Sequence, residues 1–290
     1  MGAVYLITNE ENNAVVAMPI RRDGTLSTGR LASTCGSGAS GIDGSTNQSA
    51  GPDALFSQSS LTVAGQNLFA VNAGSNTVSM FAIDARDPTK LTMVGQPAAV
   101  PGDFPTTVAA SADHGLVCVG ATGATAGVSC ATFSAQGLGT MDALRSFSLG
   151  QTTPPVGPTN TVSQVFFSED GSTLFSTVKG DPTKNNTGFL AAFAVTSGAN
   201  GSAASVSQDG TQSSPAGTAV LFGAATIPGS SSLFVTDASF GAAVLDVGAS
   251  GAATVAGKGV VDGQKATCWA TVSNATNTAF VTDVAPNRLV

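Results

Sequence analysis

Residues 68–83, LFAVNAGSNTVSMFAI, contain two short apolar segments on either side of the polar turn at 72–76. Strand-forming residues bounded by Gly, Asn and Ser indicate an antiparallel hairpin. The apolar residues of the second segment would occupy both faces of its strand: Val78, Met80, Phe81 and Ile83. Because a strand that is apolar on both faces is covered on both faces, this hairpin is predicted to lie between two packed layers.

The same unit recurs along the chain. Similar strand segments are VYLITN (4–9), LVCVG (116–120), LFSTVK (174–179), LFVTD (233–237) and AFVTD (279–283). Most of them have a partner strand beyond a turn, such as VSCATFS, GFLAAFAV and GAAVLDV. The ends of these strands are 46 to 63 residues apart. An irregular period of this size in an all-strand chain indicates propeller blades of about 40–50 residues with loop insertions. The chain has no 3.6-residue apolar rhythm, which excludes helical repeats.

We therefore predict an all-β fold, a β-propeller of four-stranded antiparallel blades, with about five to six blades in a single domain over residues 1–290. The Gly/Ser/Thr-rich segment 29–51 shows no strand pattern and is expected to be a loop insertion over one face of the ring. It lacks the Lys-Ser/Thr ending of a phosphate-binding loop, and no helix follows it.

Composition limits the partners. Only 10% of the residues are charged, against about 25% in typical domains. The net charge of −7 argues against nucleic acid or an anionic membrane as a partner. No apolar stretch reaches the roughly 18 residues needed to span a membrane as a helix.

The four cysteines show no metal-binding spacing. Cys118 and Cys130 lie on the two arms of one hairpin, each six residues from Ala124, so they are expected to face each other at disulfide distance. Two buried reduced thiols are the alternative. A disulfide would indicate that the protein is located outside the cytosol. Cys35 and Cys268 could form a second bond, but the sequence gives no local geometry for them.

Four glycosylation sequons fall in predicted loops or turns, where a glycan can be solvated, although about as many would arise by chance in this composition. They are Asn47, Asn185, Asn200 and Asn274.

Three phrases carry a resemblance to a known family: GSNTVSMFAID (74–84), SEDGSTLFSTVKGD (168–181) and DGQKATCWATVS (262–273). The chain resembles the lactonase-type seven-bladed propellers, which include 6-phosphogluconolactonase and 3-carboxymuconate cyclase, and in particular secreted basidiomycete cyclase-like proteins. This resemblance implies seven blades in the full protein and an active site at the central channel. The His, Arg and Glu that it implies for the cyclase pocket match no position here, because the only histidine, His114, lies in a predicted turn on the opposite rim.

Loops on one face of a propeller surround its central channel, and here they supply polar side chains. The ligand-binding candidates are Glu10, Asp53, Asn72, Asn160, Lys179, Asp237, Lys265 and Asp283. Such a ring could bind a small polar ligand or a cation. The alternative is that Asn and Asp at strand ends only form turns. The sole tryptophan, Trp269, is expected in the core rather than as a stacking surface.

Two functions remain open. One is a secreted lactonase or cycloisomerase that acts on a carboxylated lactone or muconate by acid–base proton transfer, without a cofactor or with a cation in the channel. The other is a non-catalytic secreted or cell-wall glycoprotein that binds a small polar ligand, a carbohydrate or a protein partner. A Ser-His-Asp triad is excluded because His114 has no suitable position.

The ends of the chain suggest an open ring. Residues 4–9 match the second strand of later blades, and the last blade stops as its third strand begins, at 288–290. We expect the propeller to be incomplete at the C-terminus, with an open edge that could support oligomers.

Overall fold

The computed structural model describes residues 2–198 and 203–290, and it consists almost wholly of β-strands. The one helix in this part of the chain is a single 3-10 turn, Pro182–Lys184. No helix there is long and apolar enough to cross a lipid bilayer. The prediction of an all-β fold is confirmed.

The hairpin at 68–83 forms as predicted. Its strands are β7 (Asn67–Asn72) and β8 (Thr77–Ile83), and Asn72 pairs with Thr77 across the turn. The two faces of β8 enter different cores: Val78 and Met80 pack in one apolar cluster, whereas Phe81 packs in another. Burial on both faces explains why the apolar residues of β8 do not alternate with polar ones.

Six antiparallel sheets follow one another along the chain. Sheet I contains β1 (Gly2–Ile7), β2 (Ala14–Ile20) and β3 (Arg30–Ser33), and sheet II contains β6 (Leu61–Ala64), β7, β8, β9 (Leu91–Met93) and β10 (Ala98–Ala99). Sheet III contains β11 (Pro105–Ser111), β12 (Leu116–Ala121), β13 (Gly127–Ser134), β14 (Gly137–Leu138) and β15 (Arg145–Ser146). Sheet IV contains β17 (Val162–Phe167), β18 (Thr173–Val178), β19 (Phe189–Thr196) and β20 (Ser205–Ser213). Sheet V contains β21 (Leu221–Thr226), β22 (Leu233–Asp237), β23 (Gly241–Val247) and β24 (Ala253–Val260), and sheet VI contains β25 (Thr267–Ser273), β26 (Thr278–Asp283) and β27 (Arg288–Leu289).

The sheets pack face to face like the blades of a propeller. Separate apolar clusters fill the spaces between sheets I and II, II and III, III and IV, and IV and V. The inner strands of sheets II to VI, which are β6, β11, β17, β21 and β25, contact one another in that order. This arrangement confirms a propeller-like fold.

Buried hydroxyl groups join neighbouring sheets. Thr177 Oγ1 donates to the main-chain oxygen of Phe222 at 2.7 Å, and Thr236 Oγ1 donates to that of Cys268 in the same manner. These side chains are on second strands and their acceptors are on the next inner strand. Buried polar groups need such partners, which explains why Ser and Thr occur within otherwise apolar strands.

The segment 29–51 contains more regular structure than its sequence indicates. It supplies β3 and two short strands, β4 (Ile42–Asp43) and β5 (Gln48–Ser49). The strand β4 also pairs in parallel with β16 (Val156–Gly157), so that a small separate sheet forms. Two-residue strands leave no periodic pattern in a sequence.

The disulfide between Cys118 and Cys130 is confirmed. The two residues are directly opposite in the β12–β13 register, and their Cα atoms are 4.0 Å apart. Cys35, which is exposed, and Cys268, which is buried, are free cysteines, so the second disulfide considered for them does not form.

Candidate functional site

A cleft of about 720 Å³ opens between sheets I and VI. One wall is the stretch of consecutive residues 5–10, another is the segment 51–61, and Trp269 of β25 borders it. Trp269 is 53% exposed, so the expectation of a core position for it is wrong. Two of the candidate residues, Glu10 and Asp53, also line this cleft.

The floor of the cleft is a segment that enters the central channel, residues 55–60, which we call the channel segment. It bends at Phe56 and Ser59, which both adopt left-handed backbone angles, φ 54° and 67°. The N–H of Gln58 donates to the main-chain oxygen of Ser163 at 2.9 Å, and Ser57 Oγ donates to that of Thr106 at 2.7 Å. These two bonds hold the channel segment against the inner strands of sheets III and IV.

The side chain of Gln58 fixes the channel segment to sheet VI. Its oxygen accepts the N–H of Ala270 at 2.9 Å, and its nitrogen donates to the main-chain oxygen of Ala270 at 3.0 Å. Gln164 makes the same pair of bonds with Ala224, at 2.7 and 3.2 Å. A methyl group at Gly223 would overlap the Gln58 oxygen, so the close approach requires glycine there.

Lys179 lies directly beneath the channel segment. Only 1% of it is exposed, and its Nζ donates to the main-chain oxygen of Phe56 at 2.6 Å and to Ser163 Oγ at 3.0 Å. The ammonium group also lies 4.1 Å from the centre of the Phe222 ring. Burial lowers the pKa of Lys179 to about 7, although the negative charge of Asp53 opposes that shift.

The Asp53 carboxyl group is exposed at the rim above Lys179. Protein atoms that replace water beside it raise its pKa, while the positive charge of Lys179 and the N–H of Phe56 act in the opposite direction. A carboxyl group with a raised pKa and a lysine with a lowered one are held close enough for each to alter the other's titration. Such opposed shifts are typical of acid–base sites and also occur in structural ion pairs.

The third titratable group at this place is the free thiol of Cys268. Burial raises its pKa to about 11, and the negative charge of Asp53 adds to that effect. The thiol is therefore neutral near pH 7, and a neutral thiol is a poor nucleophile. Cys268 is not suited to covalent catalysis.

Strand irregularities bring these groups together. The pairing of the inner strand shifts register at the same position in four sheets: between Pro105 and Thr107, Val162 and Gln164, Leu221 and Ala224, and Thr267 and Ala270. The residues skipped by the pairing include Thr106, Ser163, Phe222 and Cys268. A bulge redirects side chains. Because a bulge has no residue signature of its own, the sequence did not identify these four residues as part of the site, and it did not identify Phe56 either.

Two candidate carboxylates are used by the scaffold. Asp237 accepts the N–H groups of Ala219 and Val220, at 2.7 and 3.1 Å. Asp283 accepts those of Lys265 and Ala266, at 3.1 and 2.9 Å. Both side chains are fully buried and close the same kind of loop in successive sheets.

Asp283 also forms an ion pair with Arg288, whose Nη2 lies 2.9 Å from Oδ2. Desolvation acts to raise the pKa of Asp283, but the N–H donors of Ala266 and Lys265 together with Arg288 lower it overall.

Two candidate amides are likewise used within the fold. Asn72 is buried and bonds to Asn13, Thr77 and Ser79. Asn160 donates to the main-chain oxygen of Leu149 and accepts from Asn186. For both residues the structure therefore supplies a role in loop and sheet packing.

The remaining candidates lie on the surface. Glu10 is exposed in the cleft, and Lys265 is exposed on the loop before β25. Glu10 and Asp53 thus both line the cleft, Lys179 is bonded to Phe56 without lining it, and Lys265 is not part of the lining. Among the described residues, no group of three or more His, Cys, Asp or Glu side chains has a geometry suited to a metal ion.

The single histidine and a buried arginine have other roles. His114 is in the β11–β12 turn, where its ring nitrogens contact the hydroxyls of Ser111 and Ser197 at 3.0 and 3.2 Å. Arg145 is buried, and its Nη2 lies 2.8 Å from Oδ2 of Asp142. Neither residue lies in the cleft lining, so the implied cyclase pocket is not reproduced there.

Comparisons with known proteins agree on the fold. No protein-family model and no curated protein matches the sequence. A candidate 6-phosphogluconolactonase from Bacteroides fragilis NCTC 9343 superposes with a TM-score of 0.60 at 14% identity, over 99% of this chain and 75% of that one. The corresponding protein from Bacteroides uniformis ATCC 8492 gives a TM-score of 0.55 at 14% identity, over 88% of this chain and 70% of that one.

A protein solved with a ribosomal-protein segment gives the same TM-score as the Bacteroides uniformis protein. Chaetomium thermophilum Sqt1, solved with the N-terminus of ribosomal protein L10, gives a TM-score of 0.55 at 13% identity, over 96% of this chain and 66% of Sqt1. These likenesses agree with the propeller-like fold of the chain. The likeness at this identity shows the fold alone, and function must be argued from the site.

Proposed function

We propose that this chain is a lactonase that binds a small lactone at the mouth of the central channel. The observation that carries the proposal is the exposed Asp53 carboxyl group at the rim of the cleft, with its pKa raised and the buried ammonium group of Lys179 beneath it. A general base needs both access to substrate and a pKa shifted towards the working pH. Among the candidate residues, Asp53 combines the two.

The chemistry would be acid–base hydrolysis. Asp53 takes a proton from a water molecule whose oxygen adds to the lactone carbonyl carbon. It returns that proton to the ring oxygen as the ring C–O bond breaks, so the product is an open hydroxy acid. Lys179 acts as a positioning residue, because its bond to the Phe56 oxygen fixes the loop that carries Asp53.

The cleft favours one class of lactone. Its lining contains two carboxylates, Glu10 and Asp53, and no Lys, Arg or His. An uncharged aldonolactone avoids repulsion from these groups, whereas a carboxylated lactone or a muconate does not. The resemblance to fungal carboxymuconate cyclases therefore supports the fold class more than the substrate.

The test is hydrolysis of aldonolactones and of muconates by the purified protein. We expect activity on the former and at least about a hundredfold loss in Asp53→Asn, as for removal of a general base. Lys265→Ala is the matched control, since Lys265 is exposed outside the cleft. Activity that survives Asp53→Asn would contradict the assignment.

A second candidate function, a binding protein without catalysis, is favoured by the burial of Lys179 and by the use of Asn72, Asn160, Asp237 and Asp283 within the scaffold. Secretion fits either function and is supported by the disulfide. Glycosylation is supported by the exposure of Asn47, Asn185 and Asn274, whereas Asn200 lies outside the described residues. Seven blades in the full protein remain a prediction.

A further inference from the structure

The positive charge of this acidic chain is concentrated in two stretches. Residues 21–30 and 84–90 contain five of its eleven Lys and Arg residues, but only three of its eighteen Asp and Glu residues. The first stretch leads from β2 to the start of β3 in sheet I, and the second connects β8 to β9 in sheet II. Although the net charge is −7, the surface where these stretches meet is therefore locally positive.

A pocket of about 520 Å³ lies between the two stretches. Its lining includes three arginines, Arg21, Arg30 and Arg86, and the hydroxyl residues Ser27 and Thr28. All three arginines are exposed, so their guanidinium groups can reach a bound molecule. We call this feature the arginine pocket. It shares no lining residue with the cleft between sheets I and VI.

The one carboxylate in the lining, that of Asp87, is already engaged. Its Oδ2 lies 3.0 Å from Nη1 of Arg30. Its Oδ1 accepts the N–H and the hydroxyl of Thr89, at 3.1 and 2.6 Å. Within the described part of the chain, Arg21 and Arg86 form no ion pair. The arginine pocket thus holds two guanidinium groups without a counter-charge, and a bound anion would supply one.

The loop that carries Arg86 is held in a fixed position. Asp84 Oδ1 accepts the N–H groups of Arg86 and Asp87, both at 2.9 Å. Tyr5 of sheet I donates its hydroxyl to the main-chain oxygen of Pro88 at 2.7 Å. This bond and the ion pair of Asp87 connect the loop to sheet I. Because the two walls are joined in this way, less ordering is needed when a ligand binds.

We propose that the arginine pocket binds phosphate monoesters of small molecules. Such an ester carries about −1.5 to −2 charges near pH 7, which matches the two unpaired guanidinium groups of Arg21 and Arg86. Each guanidinium group presents parallel N–H donors that fit two oxygens of a phosphate. Ser27 and Thr28 have hydroxyl groups that can donate to a further oxygen.

The size of the pocket indicates an organic ester instead of inorganic phosphate. A volume of about 520 Å³ lies within the range of about 300–1,000 Å³ that is typical of pockets for small organic ligands. Pro19 and Ile20 add an apolar part to the lining, which an inorganic anion would not use. This inference does not depend on the lactonase proposal.

The test is calorimetric titration of the intact protein at low ionic strength. The probes are ribose 5-phosphate and phenyl phosphate, which share only the phosphate ester, and ribose is the neutral control. We expect both esters to saturate with a Kd of about 1 mM or lower, and ribose to show no binding. Binding should weaken as salt is added, because exposed charges are screened by ions. No binding of either ester up to about 10 mM would overturn the proposal.

Matched variants distinguish the pocket from general attraction to a positive surface. Arg21→Gln and Arg86→Gln should each weaken ester binding at least about tenfold, because each removes a charged, bidentate contact. Arg22→Gln removes the same charge from an exposed residue outside the pocket lining, and it should change the affinity less than about twofold. Equal losses in Arg21→Gln and Arg22→Gln would mean that no specific site exists.

Two further probes identify the class of ligand. Inorganic phosphate should bind at least about tenfold more weakly than the esters, and equal affinity would identify a site for a simple anion only. A phosphoserine peptide that binds while both small esters fail would indicate a polypeptide ligand and would overturn the choice of small molecules. The titrations contain no lactone, so failure of the hydrolysis assay would leave their result unchanged.

Discussion

Lys179 Nζ lies 2.6 Å from the main-chain oxygen of Phe56, and the two residues are 123 positions apart in the chain. This bond connects the end of β18 to the channel segment, which in turn touches sheets III, IV and VI. A buried charge is tolerated here because the carbonyl oxygen, the Ser163 hydroxyl and the Phe222 ring all face it. The mouth of the channel is thus organised around one lysine.

The burial of Lys179 predicts a pH dependence of stability. Its pKa of about 7 in the folded protein is below the ordinary value of about 10.4. Between these values the unfolded chain binds the proton that the folded protein has released, so stability rises with pH by at most roughly 1.4 kcal/mol per unit. The thiol of Cys268 makes stability fall with rising pH above about pH 8.5, because the unfolded thiol ionises first.

Urea unfolding between pH 7 and 8.5 should show the rise in stability, and Lys179→Met should lack it. The exposed Lys265→Met should keep it, and equal slopes in both variants would refute the assignment.

The disulfide should contribute measurably to stability. It closes a loop with a sequence separation of 12, for which the chain-entropy relation gives about 3 kcal/mol. We expect Cys118→Ala/Cys130→Ala to lower the free energy of unfolding by about that amount or more. The exposed Cys35→Ala is the control and should change it by less than about 0.5 kcal/mol. Mass spectrometry without reductant should find two free thiols, and four would contradict the bond.

The paired glutamines should differ in their effects. Replacement of Gln164 or Gln58 by Met leaves one N–H and one C=O of the facing strand without a partner, at roughly 1–3 kcal/mol for each such buried group. Gln164 is buried, whereas Gln58 is partly exposed and water can replace its bonds. Thermal unfolding should therefore show the larger loss for Gln164→Met. A larger loss for Gln58→Met would mean that the bonds of Gln58 to Ala270 stabilise the fold more than those of Gln164 to Ala224.

Asp237 should prove structural. Its carboxylate accepts the N–H groups of Ala219, Val220 and Ser239. Asp237→Ala should lower stability by roughly 2–4 kcal/mol because these donors become unsatisfied. Asp246→Ala, which removes one exposed bond to Ser232, should cost less than about 1 kcal/mol. If Asp237→Ala abolished lactone hydrolysis while leaving stability unchanged, the structural role would be wrong.

The sequence by itself determined the repeated hairpin, the all-β propeller fold and the Cys118–Cys130 disulfide. The hairpin follows from turn residues between two apolar strands, and the propeller follows from the recurrence of that unit. The disulfide follows from the equal distances of the two cysteines from one turn. Because the two strands of a hairpin are close in sequence, the residues that face each other across it follow from their distances to the turn.

Only the tertiary structure decided the site. The channel segment, the bulged residues Ser163 and Cys268, and the exposure of Trp269 depend on how separate sheets meet, and no local pattern encodes that. The structure also shows that Asn72, Asn160, Asp237 and Asp283 bond to partners beyond their own turns, and spacing along the chain does not reveal those partners. Loop polarity can be read from a sequence, but whether a polar side chain faces a ligand or a neighbouring backbone depends on contacts between residues far apart in the chain.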